Sequence, residues 1–353
     1  MTRLRRRAPT LLCNILLWGA LQCPASPPAR TAAPGLFTAA SFNLANWGQS
    51  DRWSHGKHLE NAPKPEAERR AAIAILRRIK PDILAVQEVI RDAHDRFLDD
   101  LKTALRDGGL EYPESFAIHG YDERIQIALF SRFPIRERIA LNQDRYQFTL
   151  HRGTGEDARV ERINRRVERG FIRATIDVGS SYRLEVFVAH LKSKRDVPEY
   201  DGPDESGQEI IRRHEAEILR RHIESRIRDN PEANILVLGD MNDTMGSSAL
   251  QILSGRKTDP VRMYPLWLSD YLRDAWTHAY RPEREYSLFD YAIASQGLFN
   301  EYSPSHSYVY RESPDSPPEL RWDSASDHRP IVASFYAADL SYPERERLEP
   351  QKP

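Results

Sequence analysis

The chain has almost no cysteine. Its 353 residues include two, Cys13 and Cys23, both in a short N-terminal segment. Beyond that segment no disulfide is available, so a stable fold must rest on its buried core. Long apolar runs are missing too. Leu11–Leu21 has only 11 residues, interrupted by Asn14, against the roughly 20 that span a bilayer. Neither sign of charge dominates: 51 basic residues oppose 52 acidic, for a net charge of −1. Internal repeats and low-complexity stretches are absent. With 40% hydrophobic and 29% charged residues and a mean hydropathy of −0.63, the chain is neither a polytopic membrane protein nor a disordered one.

What is present begins with an address. Arg3, Arg5, Arg6 and Arg7 precede the apolar run, and a Pro/Ala/Ser stretch follows it. Basic start, apolar middle and small-residue end are the order of a secretory signal over residues 1–33. A lipoprotein signal acylated at Cys23 is the second reading, although Ala20-Leu21-Gln22 suits it poorly. Removing residues 1–33 takes away five arginines and no acid, which lowers the net charge from −1 to about −6. A mildly acidic exported chain does not hold a polyanion by overall charge; it needs cations placed locally.

The remaining chain alternates short apolar strands with a few helices. Phe37–Asn43 has the pattern of a strand, and Glu66–Ile79 that of a helix with Ile73, Leu76 and Ile79 on one face, stopped by Pro81. Ile83–Gln87 is a near-continuous apolar run, the mark of a strand buried on both faces. Arg91–Leu105 is a second amphipathic helix before Gly108-Gly109. Strands are expected at Ile125–Phe130, Phe171–Val178, Leu184–His190, Ile235–Leu238, Tyr291–Ala294 and Ile331–Tyr336. One helix interrupts them, Glu209–Arg228, with Ile211, Ile218, Leu219 and Ile223 inward. The segments Gln49–Lys64, Asn142–Gly170 and Asp196–Gln208 carry no readable signature and are expected as loops. With no linker in between, residues 34–340 form one layered α/β domain, and 341–353 are expected as a solvated tail.

Polar residues recur just past the ends of these strands. Asn43 ends the first, Glu88 follows ILAVQ, and His190 ends LEVFVAH. Asp240 and Asn242 follow NILVLG, Asp290 precedes YAIAS, and Asp327-His328 precede the last strand. Singly, each is a common turn or capping residue. Together, six positions abutting apolar strands point to a site at the rigid end of an α/β scaffold.

The order and context of SFNLANW, PDILAVQEV, VFVAHLKS, ILVLGDMNDT, LFDYAIAS and SDHRPIVASF resemble the endonuclease/exonuclease/phosphatase superfamily. That superfamily is typified by pancreatic deoxyribonuclease, apurinic endonucleases, bacterial sphingomyelinases and inositol-phosphate 5-phosphatases. The resemblance runs from Phe37 to Phe335. It implies a four-layer αββα sandwich, two mixed β-sheets packed face to face with helices outside, and a site at one end of the sheets. It also implies that Glu88 holds Mg²⁺ (or Mn²⁺ or Ca²⁺), with Asn43 and Asp327 in the same metal shell. His328 matches a catalytic histidine oriented by Asp290, and Asp240 a residue that orients or deprotonates water; the resemblance leaves the base open between Asp240 and His328. Asn242 matches a donor to the phosphoryl oxygen, and His190 a phosphate contact and general acid. Relatives can support that histidine with a glutamate before the preceding strand; here Gly170 stands near that place.

Other features have two readings. Lys192, Lys194 and Arg195 follow His190 and are either substrate cations or a solvated basic loop. Six arginines between Arg159 and Arg173 suit an exposed, charge-laced segment. Trp47 and Trp53 suit core or rim packing, and His55 and His58 exposed loop positions. The function expected is an exported Mg²⁺-dependent phosphodiesterase, periplasmic or secreted and monomeric, acting on DNA or RNA. The alternative substrate is a phospholipid or sugar phosphate, for which Tyr264–Leu268 (YPLWL) is the nearest membrane-entry segment. A non-catalytic binding module would need a damaged site, and none of the matched positions is damaged.

Overall fold

The computed structural model describes residues 35–54, 56–152, 159–201 and 205–350. The expected signal segment and His55 lie outside the described residues. In chain order the elements begin with β1 (Leu36–Trp47), a hairpin of β2 (Gln49–Ser54) and β3 (Lys57–Pro63), α1 (Glu66–Ile79) and β4 (Ile83–Ile90). Next come α2 (Arg96–Asp107), β5 (Glu114–Ile118), β6 (Ile125–Ser131), β7 (Ile135–Leu141) and a second hairpin of β8 (Arg145–Arg152) and β9 (Arg159–Arg166). Then follow β10 (Phe171–Val178), β11 (Tyr182–His190), α3 (Gly207–Asp229), β12 (Ile235–Asp240), α4 (Ser248–Ser254) and β13 (Met263–Pro265). A short hairpin of β14 (His278–Tyr280) and β15 (Glu285–Ser287), β16 (Asp290–Ser295), α5 (Gln296–Glu301), β17 (Tyr308–Val309), β18 (Ile331–Tyr336) and α6 (Tyr342–Leu348) complete the chain.

Two six-stranded mixed sheets result, ordered β17-β18-β1-β4-β6-β5 and β13-β16-β12-β11-β10-β7. Each has one parallel pair at its centre, β1 with β4 and β11 with β12, and its other pairs are antiparallel. The crossover of each parallel pair carries a helix, α1 in the first and α3 in the second, as parallel pairing requires.

Period-2 alternation explains why these strands read as continuous apolar runs. On β4, Ile83 and Ala85 face the other sheet while Leu84 and Val86 face α1 and α2. On β12, Leu236 and Leu238 face inward, and Ile235 and Val237 lie under α3 and α4. Both faces of both sheets are therefore buried, which is the expected four-layer sandwich.

Several boundaries and two loops differ from expectation. The second helix starts at Arg96 because the Asp92 carboxylate accepts from the His94 and Arg96 amides (3.1 and 2.9 Å) and holds the preceding turn. Gln49–Lys64 and Asn142–Gly170 are mostly β-hairpin. Tyr146, Phe148 and Leu150 turn one face of β8 inward, where Tyr146 and Phe148 pack on His214 of α3. The expected tail contains a helix: Ser341 and Glu344 form a capping box, and Arg345 is buried.

Candidate active site

The C-terminal ends of the two parallel pairs meet at one edge of the sandwich. His190 and Asp240 are register partners across β11 and β12, and Asp240 and Asp290 across β12 and β16. From the other sheet, β1 and β4 are both irregular where they reach this edge. Pairing slips between Asn43 and Trp47 on β1, and between Val86 and Val89 on β4. Glu88 there has φ of 61° and Asn242 has φ of 51°, conformations that non-glycine residues adopt at a cost and that cluster at functional sites. Gly239 is required just before Asp240. Its φ is +147°, and a Cβ would lie 1.8 Å from the Ala189 carbonyl oxygen.

Asp240 sits at the centre, 1% exposed. Its Oδ2 accepts from Asn43 Nδ2 at 3.0 Å, and Oδ1 accepts from the Asn242 amide at 2.8 Å. The Nε2 atoms of His190 and His328 lie 3.6 and 3.7 Å from the same Oδ2. Asn43 also donates to Glu88 Oε1 (3.2 Å), and the Asn46 amide donates to Glu88 Oε2 (3.1 Å). On the far side, His328 Nδ1 is 2.8 Å from Asp290 Oδ2. Asn242 gives one amide hydrogen to the Leu191 carbonyl (3.0 Å), which leaves the other for a ligand.

Electrostatics separate the two histidines. Burial alone would lower His328, but the Asp290 and Asp240 carboxylates override it and hold the imidazole well above the ordinary histidine range. Burial, reinforced by Arg169, His328 and Lys192, holds His190 well below that range, so it is neutral. Burial pushes Asp240 up, opposed by His328 and assisted by Asp290. Glu88 is pushed up by burial and by the carboxylate of Asp327.

Among the described residues, Asp240, Asp290 and His328 are the one acidic–histidine group whose ligand atoms converge, within 4.8 Å. Two of those atoms are already spent on each other in the 2.8 Å pair. Glu88 fits a cation better: the only basic group within ion-pair distance among the described residues is His190, at 3.9 Å and neutral. A partly buried carboxylate with no cation in contact suits a hard divalent cation.

Asp327 is half-buried above Glu88, and its neighbour Ser326 ties the loop to β1 through a 2.8 Å bond to the Asn43 carbonyl. Together with Asn46, Glu88 and Asp327 line a cleft of about 830 Å³ whose walls include Arg52, Arg124, Arg169, Lys192 and Arg195. Of the three expected basic residues, Lys192 is buried and Arg195 is exposed on the rim. Lys194 points to Asp243 (3.0 Å) and over the Phe289 ring. Trp47 is core: its indole donates to Asp100 (2.9 Å) beneath Arg69. His58 lines the cleft.

Sequence reasoning missed Arg169, Thr277, His278 and Ser326. Arg169 is buried within a stretch expected to be exposed, with Nη1 bonded to the Leu191 carbonyl at 2.8 Å. Thr277 Oγ1 accepts the amides of Phe289 and Asp290 at 3.0 Å each, fixing the strand start. His278 packs on the His328 ring, with centroids 4.7 Å apart. Ser326 has a visible signal in the Ser-x-His spacing, because its hydroxyl accepts the His328 amide (3.0 Å). The others depend on contacts between distant segments.

The family model for "Endonuclease/Exonuclease/phosphatase family" matches residues 46–328. Among curated proteins no sequence matches the chain. Solved structures do. The human Nocturnin catalytic domain, which has a bound sulfate anion, is 15% identical with a TM-score of 0.56, covering 85% of this chain and 94% of that one. An endonuclease/exonuclease/phosphatase from Beutenbergia cavernae is 16% identical with a TM-score of 0.53, covering 86% of this chain and 72% of that one. Truncated Caenorhabditis elegans TDP2 is 15% identical with a TM-score of 0.50, covering 86% and 98%. At these identities the likeness is one of fold. The family match spans most of the chain, and this protein belongs to the endonuclease/exonuclease/phosphatase family of metal-dependent phosphoric ester hydrolases.

Proposed function

We propose that this protein is an exported, Mg²⁺-dependent phosphodiesterase that cleaves DNA or RNA. The observation that carries this reading is the convergence of Asn43, His190, Asn242 and His328 around the buried carboxylate of Asp240, beside a cleft lined by both basic and acidic side chains. Phosphodiester hydrolysis needs a water activated in line, donors for the phosphoryl oxygens and relief of negative charge. Glu88, with Asn43 and Asp327, would hold the divalent cation. When bound, it neutralises charge on the phosphoryl and leaving oxygens.

The chain's own residues do the rest. Asp240, desolvated and pushed up, is the base that takes the proton from water. Asn43 holds Asp240 and Glu88 in fixed relation by donating to both. His328, kept cationic by Asp290, turns Nε2–H toward the phosphoryl oxygens. Asn242 offers its remaining amide hydrogen. Neutral His190 acts as a hydrogen-bond donor from Nε2 and not as the general acid expected from the resemblance, since a proton on a buried ring beside Arg169 is disfavoured.

Export rests on residues 1–33, and its check is cell fractionation with N-terminal sequencing of the released protein. A single copy should elute as a monomer in size-exclusion chromatography with light scattering.

The substrate panel is plasmid DNA, single-stranded RNA and bis(p-nitrophenyl) phosphate, each with Mg²⁺ or with EDTA. Cleavage of either polymer that EDTA abolishes supports the reading. Turnover of the small diester alone moves the substrate, and no turnover of any of the three with Mg²⁺ overturns the Mg²⁺-dependent phosphodiesterase assignment.

A second reading, lipid phosphodiester cleavage, has one observation in its favour. Trp267, Tyr271 and Leu272 are 74%, 58% and 56% exposed on the segment after β13. Insertion of exposed aromatic and aliphatic side chains is how a soluble enzyme holds a membrane surface. Binding to sphingomyelin vesicles that Trp267→Ala removes would favour it, and absence of binding excludes it.

A further inference from the structure

Of the residues at the reaction centre, only Glu88 and Asp327 also line the cleft; the two histidines, Asp240, Asn242 and Asp290 lie off its wall. The wall is built from other side chains, and two of them are buried cations. Arg169, on the turn between β9 and β10, and Lys192, after β11, are each 7% exposed. The Lys192 ammonium is bonded to neutral oxygens only: Ser193 Oγ at 3.2 Å and the carbonyls of Ser193 and Arg195 at 3.4 and 3.2 Å. Among the described residues no carboxylate lies within 4.0 Å of it. Arg169 gives Nη1 to the Leu191 carbonyl, and its Nε stands 3.4 Å from Asp122. Glu168 and Glu215 balance Lys192 from a distance and Asp122 pairs with Arg169, but no carboxylate touches the Lys192 ammonium, which is left able to take an anion from the cleft.

The fold holds this pair in place from behind. Glu215 of α3, 1% exposed, accepts the Glu168 amide at 2.9 Å on one oxygen and the Lys192 amide at 2.8 Å on the other. One carboxylate thus staples the turn bearing Arg169 to the loop bearing Lys192. Arg212, one helical turn earlier, donates to the Lys192 carbonyl at 3.0 Å and to Asp243 at 2.8 Å. The Leu191 carbonyl accepts from both Arg169 and Asn242, so the pair is linked rigidly to a group proposed to touch the reacting phosphate. Gly170 completes the turn with φ of +71°, where a Cβ would lie 2.8 Å from the Asn142 side chain.

Resting on the phosphodiesterase reading above, we propose that Arg169 and Lys192 form a second anion subsite. It takes a phosphate of the substrate next to the one being cut, and Glu215 is its positioning residue. Arg52, Arg124 and Arg195 line the same cleft, together with the carboxylates of Asp51, Asp122 and Glu168. Phosphate recognition by a forked guanidinium and a point-charge ammonium is the ordinary division of labour between these side chains. The neighbouring phosphate has two chemical sources, the next diester of a chain or a terminal monoester.

The test compares kcat/KM for the dinucleotide dTpdT with its 5′- and 3′-phosphorylated forms and with the trinucleotide, for the wild-type protein and for Arg169→Met, Lys192→Met and Glu215→Gln. The wild-type protein is expected to prefer substrates with a second phosphate by about tenfold or more, and each variant to lose most of that preference through KM. A preference confined to the phosphorylated dinucleotides assigns the subsite to a chain end, and one shared by the trinucleotide assigns it to a neighbouring diester. Equal loss on all substrates places the two cations on the scissile phosphate and overturns the subsite, as does a wild-type protein without preference. No cleavage of any substrate sinks the phosphodiesterase reading itself. Melting curves accompany each variant; should Glu215→Gln not fold, the two cation variants decide.

Discussion

Asp240 carries a burden that the proposed catalytic role accounts for. A carboxylate 1% exposed, with two histidine nitrogens within 3.7 Å and an Asn43 donor at 3.0 Å, is held at a cost the fold does not need. The charge pattern gives kcat/KM two limbs. The acid limb, set by Asp240, is expected above the ordinary carboxylate range, and the alkaline limb, set by His328, above the ordinary histidine range. Asp290→Asn removes the anion that keeps His328 protonated. It should move the alkaline limb to lower pH and cut kcat by about 10³-fold or more. An alkaline limb that stays in place would show that His328 is not the titrating group. The eight candidate residues, at six strand ends, were legible because each of those ends abuts an apolar run. Arg169, Thr277 and Glu215 were not, because a buried arginine or a backbone-binding glutamate looks in sequence like any charged residue of a polar segment.

At the scale of elements, the site is made by two parallel pairs whose ends coincide. β12 can approach β11 only because Gly239 has no side chain. Gly239→Ala should therefore destabilise the protein by about 3 kcal/mol or more, and lower activity beyond the loss of folded protein, measured by denaturant unfolding and by kcat on the folded fraction. A well-folded, fully active Gly239→Ala protein would mean that strand spacing there is slack. The strands themselves were easy to read, being apolar on both faces. The hairpins were harder for different reasons. β8 carries a usable signal in Tyr146, Phe148 and Leu150, alternating with polar residues. β3 has none, since its burial pattern is almost entirely exposed and its pairing with β2 is interrupted between Ser50 and Arg52. α6 hid within a charged composition, although Ser341 and Glu344 spell a capping box.

Across the whole molecule, one cysteine-free core between the sheets and two outer layers must supply the stability. A pH-sensitive exception lies away from the reaction centre, where Glu301 of α5 accepts the Tyr182 hydroxyl. Burial pushes this carboxyl up to about 8. A raised folded-state value means that the native protein binds a proton the unfolded chain has released. Its stabilising contribution is then complete below the unfolded value near 4.5 and declines as pH rises toward about 8. Glu301→Gln should match the wild-type melting temperature near pH 4 and exceed it at pH 9, by about 1 kcal/mol or more in unfolding free energy. An identical difference at both pH values would place the buried proton elsewhere.

The central claim is that Asp240, at the meeting point of the two sheets, is the base of a metal-dependent phosphodiesterase. Its most direct test is kcat/KM for bis(p-nitrophenyl) phosphate with saturating Mg²⁺, wild-type protein against Asp240→Asn, with melting temperatures recorded for both. The account predicts a loss of about 10³-fold or more in a variant that still melts cooperatively, because the substitution keeps the side-chain shape and removes the base. Activity retained within about tenfold in a folded variant would contradict it.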